Sequence, residues 1–179
     1  MANSFSRSAP LPPEWNVAMG LQAYLEENGF LKESYDAPRT PATFLKIKFS
    51  VPNPPKHRWA IMLHDLHHVA TGFGTNHAGE GQLSAWECRR GLKNLGFYVG
   101  SIVVSGFLLG LLVSPIQTVR AWRSSKSGAS LFHLSDFSYE ELLEMEIQEL
   151  RGLMGIHRDG LFQGTRGLHS GAPKPVEDD

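Results

Sequence analysis

The feature that most restricts the fold of this 179-residue chain is a long segment without charge. Residues 95–116 contain no charged side chain, and their length is close to the ~20 apolar residues that span a bilayer. Such a segment predicts either a transmembrane span or a helix that is buried or lies against a bilayer. The serines and glycines within it favour the second interpretation, as do the cations that flank both ends: Arg89, Arg90 and Lys93 before it, and Arg120 and Arg123 after it.

Apolar residues at helical spacing predict further helices on the N-terminal side of this segment. Residues 15–28 form one, with Gly29 where a left-handed C-terminal cap is expected. A second begins at Pro55 and ends where Gly72 and Gly74 break the pattern. Between them, residues 37–55 are rich in proline, and residues 44–51 are compatible with either helix or strand.

Two more helices are predicted from the remaining pattern. One starts near Ala78 and continues toward Pro115, weakened by several glycines. The other opens at a Ser-x-x-Glu capping box, Ser138 to Glu141, and runs through Met154. We therefore expect an all-α, single-domain helical bundle over residues 15–156, with a disordered leader at 1–14 and a flexible tail at 157–179.

Charge and cysteine content exclude some functions. The formal net charge is −1 and no basic stripe occurs, so nucleic acid is not an expected partner. Cys88 is alone, which excludes an intrachain disulfide and fits a reducing compartment. Residues 1–13 lack the apolar core of a secretory signal and the repeated arginines of a mitochondrial leader. We expect a cytoplasmic protein that associates peripherally with a membrane.

The helix that begins at Pro55 carries a group of side chains suited to binding a metal. His64 and His68 are four residues apart, so on a helix they lie about 40° apart around the axis and one turn apart along it. Asp65 falls on the same face. His67 points to a different side, and we expect it to be solvated, although a role as a hydrogen-bonding partner behind the ligands stays open.

Glu80 joins these residues only if the chain folds back. On an unbroken helix it would lie about 24 Å from His64 along the axis. Residues 71–76 contain the glycines and turn-forming residues that end one helix and begin an antiparallel one. A histidine pair alone is more often a surface feature, but with Asp65, the break and Glu80 the pattern favours a divalent metal: zinc first, with iron or manganese as alternatives.

The segment His64-Asp65-Leu66-His67-His68, followed after eleven residues by Glu80, matches the signature His-Asp-x-x-His-x11-Glu of the Coq4 family of ubiquinone (coenzyme Q) biosynthesis proteins. The chain resembles that family over most of its length, including the C-terminal Tyr139-Glu140-Glu141-Leu142-Leu143 and Glu149-Leu150-Arg151. The resemblance implies an all-α fold whose metal site faces a lipid-accessible cavity. It assigns His64, Asp65, His68 and Glu80 as metal ligands.

The activity that the resemblance implies is replacement of the C1 carboxylate of a polyprenyl-hydroxybenzoate by a hydroxyl. The expected partners are a prenylated quinone precursor or another lipid, a membrane surface, other biosynthetic enzymes and a second copy of the chain. The chain differs from the eukaryotic members in having no evident mitochondrial leader, which suggests a bacterial relative and leaves the pathway open.

Two other functions remain as alternatives. One is a non-catalytic scaffold that binds the lipid intermediate and uses the metal structurally. The other, weaker one is a metal-dependent phosphohydrolase, suggested by the His64-Asp65 doublet, although such sites need further distal histidine and aspartate ligands. Peptidase activity is disfavoured because aspartate stands where the His-Glu-x-x-His motif has its glutamate base.

Overall fold

The computed structural model describes residues 10–44 and 47–161. Within them the chain is mostly helical with one two-stranded antiparallel sheet, which confirms the predicted all-α, single-domain class. The helices are α1 (Val17–Asn28), α2 (Pro55–Thr71), α3 (His77–Arg90), α4 (Gly96–Val113), α5 (Pro115–Ser124), α6 (Tyr139–Glu144) and α7 (Ile147–Leu153). The strands are β1 (Arg39–Phe44) and β2 (Ile47–Pro52).

The ends of α1 and α2 are formed by the residues that the sequence indicates. Asn16 caps α1 by accepting from the Ala18 N–H at 2.8 Å, and Gly29 ends the helix with a φ of 68°. Pro55 occupies the first turn of α2, and Gly72 ends that helix with a φ of 79°. Glycine adopts this left-handed conformation at little cost, so both helices stop where predicted.

The predicted long helix from Ala78 toward Pro115 is wrong, because the chain forms two helices there. Helix α3 ends at Arg90, and Gly91, with a φ of 102°, follows it. Helix α4 begins five residues later, at Gly96. The left-handed backbone at Gly91 redirects the chain, so α4 turns away and packs beside α3.

The predicted helix from Ser138 to Met154 is also two helices. The capping box of Ser138 and Glu141 opens α6 as expected. Met145 then adopts an extended conformation, and its carbonyl accepts from the Val17 N–H at 2.8 Å. Glu146 is extended as well and starts α7 with a second capping box. Met145 and Glu146 pair with the chain at the start of α1. Backbone hydrogen bonds of this segment therefore go to the start of α1, whereas in a continuous helix they would be made within the helix.

The proline-rich connector between α1 and α2 contains the sheet. Strands β1 and β2 pair antiparallel, with Arg39 opposite Pro52 and Thr40 opposite Val51. The ambiguous residues 44–51 therefore belong largely to a hairpin rather than a helix. A short 3₁₀ helix, Lys32–Asp36, precedes it and places Tyr35 in the core.

Helix α2 is the central element. It contacts α1, α3, α4 and α7, and one face of it contributes Leu63, Leu66 and Val69 to a continuous apolar core. The polar residues of the predicted metal site lie on this same buried helix. The site is therefore carried by a helix that packs against several other elements of the fold.

Helix α4 lies on the outside of the bundle. It is long and apolar enough to cross a membrane by length and composition, yet only 17% of it is buried. It packs on α3 with almost no space between the backbones, since a Cβ added to Gly81 would lie 2.3 Å from the Cα of Gly110. The sequence favoured a helix that is either buried or in contact with a bilayer. The buried alternative is wrong, because the outer face of α4 is exposed.

The predicted leader and tail fall partly outside the described residues, at residues 1–9 and 162–179. The adjoining residues contact the bundle: the Gln148 N–H donates to the Pro13 carbonyl at 2.9 Å, and the Leu161 N–H donates to the Thr71 carbonyl at 2.9 Å. The buried guanidinium of Arg151 ties both ends to the bundle, donating to the carbonyls of Leu11, Ala70 and Arg158.

Candidate metal centre

Three predicted ligands converge at the interface of α2 and α3. The Nε2 atoms of His64 and His68 are 3.2 Å apart. The Glu80 carboxylate places one oxygen 3.3 Å from His64 Nε2 and the other 3.5 Å from His68 Nε2. The glycine break therefore turns the chain back over the histidines as the sequence predicts.

The distances within this group fit a small divalent ion. Four ligands at the roughly 2.0–2.1 Å typical of zinc bound to nitrogen or carboxylate oxygen form a tetrahedron with edges of about 3.3 Å. The 3.2 Å between the two Nε2 atoms matches such an edge, and the Glu80 carboxylate approaches the two nitrogens with different oxygens, at 3.3 and 3.5 Å. Three protein ligands with a fourth position open is the arrangement of catalytic rather than structural zinc sites.

The hydrogen bonds on the far side of each imidazole define which nitrogen is free. His68 Nδ1 donates to the Phe73 carbonyl at 2.8 Å. His64 Nδ1 donates to the Glu87 carboxylate at 2.9 Å. With Nδ1 protonated in both neutral rings, both Nε2 lone pairs point into the space shared with Glu80, as metal coordination requires.

The electrostatics of the metal-free group favour a cation at its centre. Burial raises the pKa of Glu80, but His68 and His64 outweigh that effect and hold it well below its usual range. Burial lowers the pKa of His64, but Glu87 and Glu80 outweigh that effect and raise it well above its usual value. The two carboxylates thus place negative charge around the imidazoles, as a site that holds a divalent cation requires.

Asp65, the fourth predicted ligand, is not part of this group. Its carboxylate is buried, and it accepts hydrogen bonds from the Tyr24 hydroxyl at 3.1 Å and from the Tyr35 hydroxyl. The Tyr24 ring in turn stacks on His68, with ring centroids 5.2 Å apart. Burial raises the pKa of Asp65, against the opposing effect of His64. In this structure Asp65 anchors two tyrosines beside the ligands and does not itself join them.

Glu87 escaped the sequence interpretation, and His67 has the hydrogen-bonding role that was the alternative to a solvated position. Glu87 is fully buried, and one of its oxygens accepts from both His64 Nδ1 and His67 Nδ1, the latter at 2.7 Å. His67 is fully buried too, so the expectation that it is solvated is wrong. Glu87 lies seven residues after Glu80, two helical turns along one face of α3, and that spacing was the available signal.

A cavity of about 360 Å³ opens beside the candidate ligands. His64, Asp65 and Glu80 form its polar wall, together with the two tyrosines that bind Asp65. Apolar side chains complete it, from α1 and the segment after it, from α2, from the hairpin and from α4: Leu25, Phe30, Leu31, Val51, Ile61, Val99, Ile102 and Val103. The volume lies within the roughly 300–1,000 Å³ range of small-molecule sites.

Apolar surface surrounds this cavity on the outside. Phe30 and Leu31, which line it, are also exposed, and so is Ile102 of α4. Further along, Phe97 is 94% exposed and Leu112 is 79% exposed. The cavity therefore connects to an apolar surface that water does not solvate favourably.

No protein-family model, curated protein or solved structure matches the chain. Membership of the Coq4 family thus remains a prediction that rests on the His-Asp-x-x-His-x11-Glu signature and the accompanying sequence resemblance. The geometry of the site must support any functional proposal independently.

Proposed function

We propose that this protein is a metal-dependent enzyme of quinone biosynthesis, of the Coq4 type, that replaces the C1 carboxylate of a polyprenyl-hydroxybenzoate by a hydroxyl. The observation that carries the proposal is the convergence of His64 Nε2, His68 Nε2 and the Glu80 carboxylate at the wall of an apolar cavity. A polar reacting head and a long apolar tail in one substrate suit a site of this kind.

The polar wall of the cavity would bind the head of such a substrate, and the apolar wall would bind its tail. The aromatic head, with its carboxylate and ring hydroxyl, is placed against His64 and Glu80, and the prenyl tail along apolar residues such as Val99 and Val103. The phenols of Tyr24 and Tyr35, held by Asp65, border the head-group end. Burying the tail contributes about 25 cal/mol per Å² of apolar surface, which favours prenylated over free hydroxybenzoate.

The reaction is a two-electron oxidation. The bond between C1 and the carboxylate breaks, carbon dioxide leaves, and a bond from C1 to oxygen forms. The two electrons pass to an oxidant, for which dioxygen is the proposed co-reactant, with water supplying the new oxygen and hydrogen peroxide as the reduced product. His64, His68 and Glu80 would hold a divalent cation, which would supply Lewis-acid chemistry toward the substrate oxygens. Zinc suits two imidazole nitrogens and a carboxylate, with iron and manganese as alternatives.

The exposed face of α4 supports access from a membrane. A prenylated acid partitions into lipid, so an enzyme that binds it benefits from contact with a bilayer. Leu108 and Leu112 are exposed along this face, and the following helix, α5, exposes Ile116 together with Arg120 and Arg123, which can meet anionic headgroups. We therefore propose peripheral membrane association on the cytoplasmic side. A homo-oligomer that covers part of this face remains a weaker proposal.

A lipid-binding scaffold is the second candidate, because most of the cavity wall is apolar. A scaffold needs this apolar wall to bind the lipid, and it does not need a catalytic metal. The phosphohydrolase alternative has less support. Among residues 10–44 and 47–161 the candidate ligands form one group, His64, His68 and Glu80, with no further distal group for a second metal.

The test combines metal content with turnover in the purified full chain. Elemental analysis is made on wild type, His64→Ala and Glu80→Ala, with folding checked by circular dichroism. His157→Ala is the matched control, because its side chain is exposed and paired only with Asp159. Each protein is then incubated in air with a short-chain prenylated 4-hydroxybenzoate, and carbon dioxide and the hydroxylated product are followed by mass spectrometry.

We expect near-stoichiometric metal and turnover in wild type and His157→Ala, and the loss of both in the folded ligand variants. A metal-loaded wild type that binds the prenylated acid and releases no carbon dioxide, with zinc, iron or manganese, would establish the scaffold instead. A folded wild type that takes up none of the three metals would overturn both the metal site and the enzyme proposal.

A further inference from the structure

Behind the candidate ligands lies a buried carboxylate with an unusual pair of partners. Glu87 has no exposed surface, and its Oε1 accepts from His64 Nδ1 at 2.9 Å and from His67 Nδ1 at 2.7 Å. An isolated carboxylate would be strongly disfavoured in such a place. Two imidazole donors therefore hold it there, and only one of them belongs to the candidate metal group.

The second imidazole is itself locked. His67 Nε2 accepts a hydrogen bond from the Leu131 N–H at 3.0 Å, so its proton must lie on Nδ1, facing Glu87. The ring packs against Trp86 and Phe132, with centroid distances of 5.2 and 4.8 Å. His67 thus has one tautomer and one orientation. It serves as a fixed hydrogen-bond donor that holds Oε1 of the Glu87 carboxylate.

The consequence reaches the candidate ligand His64. A carboxylate held in one place fixes the proton of His64 on Nδ1 and fixes the plane of its ring, which leaves Nε2 aimed at His68 and Glu80. His68 is held in the same way by the Phe73 carbonyl. One ligand is therefore oriented by the backbone and the other by a side chain that mutation can alter.

We propose that Glu87, held in place by His67, is a positioning residue that orients His64 and strengthens its binding to the metal. A carboxylate partner makes an imidazole a better ligand, and loss of such a partner typically weakens metal affinity about 10- to 100-fold. The inference rests on the proposed metal site. It extends that site to two residues, on α2 and α3, that contact no metal themselves.

The test measures the zinc dissociation constant of the full chain by competition with a chromogenic chelator. Glu87→Gln keeps the size of the side chain and removes its charge, and Glu87→Leu serves if the amide variant does not fold. Leu150→Ala is the control for general loosening, because it truncates a fully buried side chain in α7, a helix that carries none of the candidate ligands. The melting temperature of each metal-free protein is recorded by circular dichroism.

We expect Glu87→Gln to weaken zinc binding about 10- to 100-fold and to shift the visible spectrum of bound cobalt(II), because the His64 ring is no longer held. Leu150→Ala should lower the melting temperature while leaving the zinc dissociation constant and the cobalt spectrum as in wild type. Wild-type affinity and spectrum in Glu87→Gln, or equal losses in Leu150→Ala, would overturn the inference. Failure of the wild type to bind zinc would instead refute the metal site itself.

Discussion

Replacement of Asp65 separates an anchoring role from a ligand role. The resemblance assigns Asp65 to the metal, whereas in the structure its carboxylate accepts from the hydroxyls of Tyr24 and Tyr35. Two substitutions distinguish these roles. Asp65→Ala removes the acceptor for both hydroxyls, while Asp65→Asn keeps the shape of the side chain and one carbonyl acceptor.

The expected magnitudes follow from the hydrogen bonds. A buried donor left without a partner costs about 1–3 kcal/mol, so loss of both acceptors in Asp65→Ala should destabilise the protein by about 2–6 kcal/mol. Asp65→Asn strands one hydroxyl at most, and burial, which raises the pKa of Asp65, already disfavours the charge that this variant removes. Its loss of stability should therefore be at most about 1–3 kcal/mol, half of that expected for Asp65→Ala.

The assay is urea denaturation of the metal-free variants, followed by zinc titration of those that fold. We expect Asp65→Asn to bind zinc with nearly wild-type affinity, because no ligand of the three-residue group is altered. If the folded Asp65→Asn protein loses zinc as completely as Glu80→Ala, then Asp65 is a ligand and the arrangement described above is not that of the metal-bound protein.

Two further predictions concern pH and membranes. His64 and His67 outweigh the opposing effect of burial and lower the pKa of Glu87 to about 2, from 4.5 in the unfolded chain. Its stabilisation of the metal-free protein is therefore present above pH 4.5 and lost as the pH falls toward 2; urea denaturation should show this decline, and an equal decline in Glu87→Gln would contradict it. Leu112→Glu places a charge on the exposed face of α4 and should weaken binding to anionic vesicles about tenfold or more in flotation assays, without lowering the melting temperature. Gln22→Glu, an exposed site on α1, is the matched control, and equal binding by the two variants would exclude α4 as the membrane contact.

Part of the candidate site is readable from the sequence because its geometry is local. The spacing of His64 and His68 sets their relation on any α-helix, and the glycines after Thr71 place the turn that returns Glu80 to them. The helix ends at Gly29 and Gly72 are local in the same sense. They depend on the ability of glycine to adopt a positive φ. Glycine has this ability because it lacks a Cβ atom, whatever segments pack around it.

The partners of the site are not local, and sequence reasoning misplaced them. His67 was expected in solvent because it lies on a different side of α2 from His64, but that side is covered by Trp86 and Phe132. Asp65 shares a helix face with the histidines, yet tyrosines from two other elements bind its carboxylate. Such contacts depend on which segments pack on α2, and the periodicity of α2 carries no information about that.

The sequence by itself therefore determined the helical class, the ends of α1 and α2, and the pairing of His64, His68 and Glu80 across a glycine turn. Only the tertiary structure decided that α4 is an exposed outer helix, that the predicted long helices break near Gly91 and Met145, and that Glu87 and His67 lie behind the candidate ligands. The physical reason is the range of the interactions. Helix propensity, capping and turn geometry act over a few residues, whereas burial and the satisfaction of buried polar groups depend on segments distant in the chain.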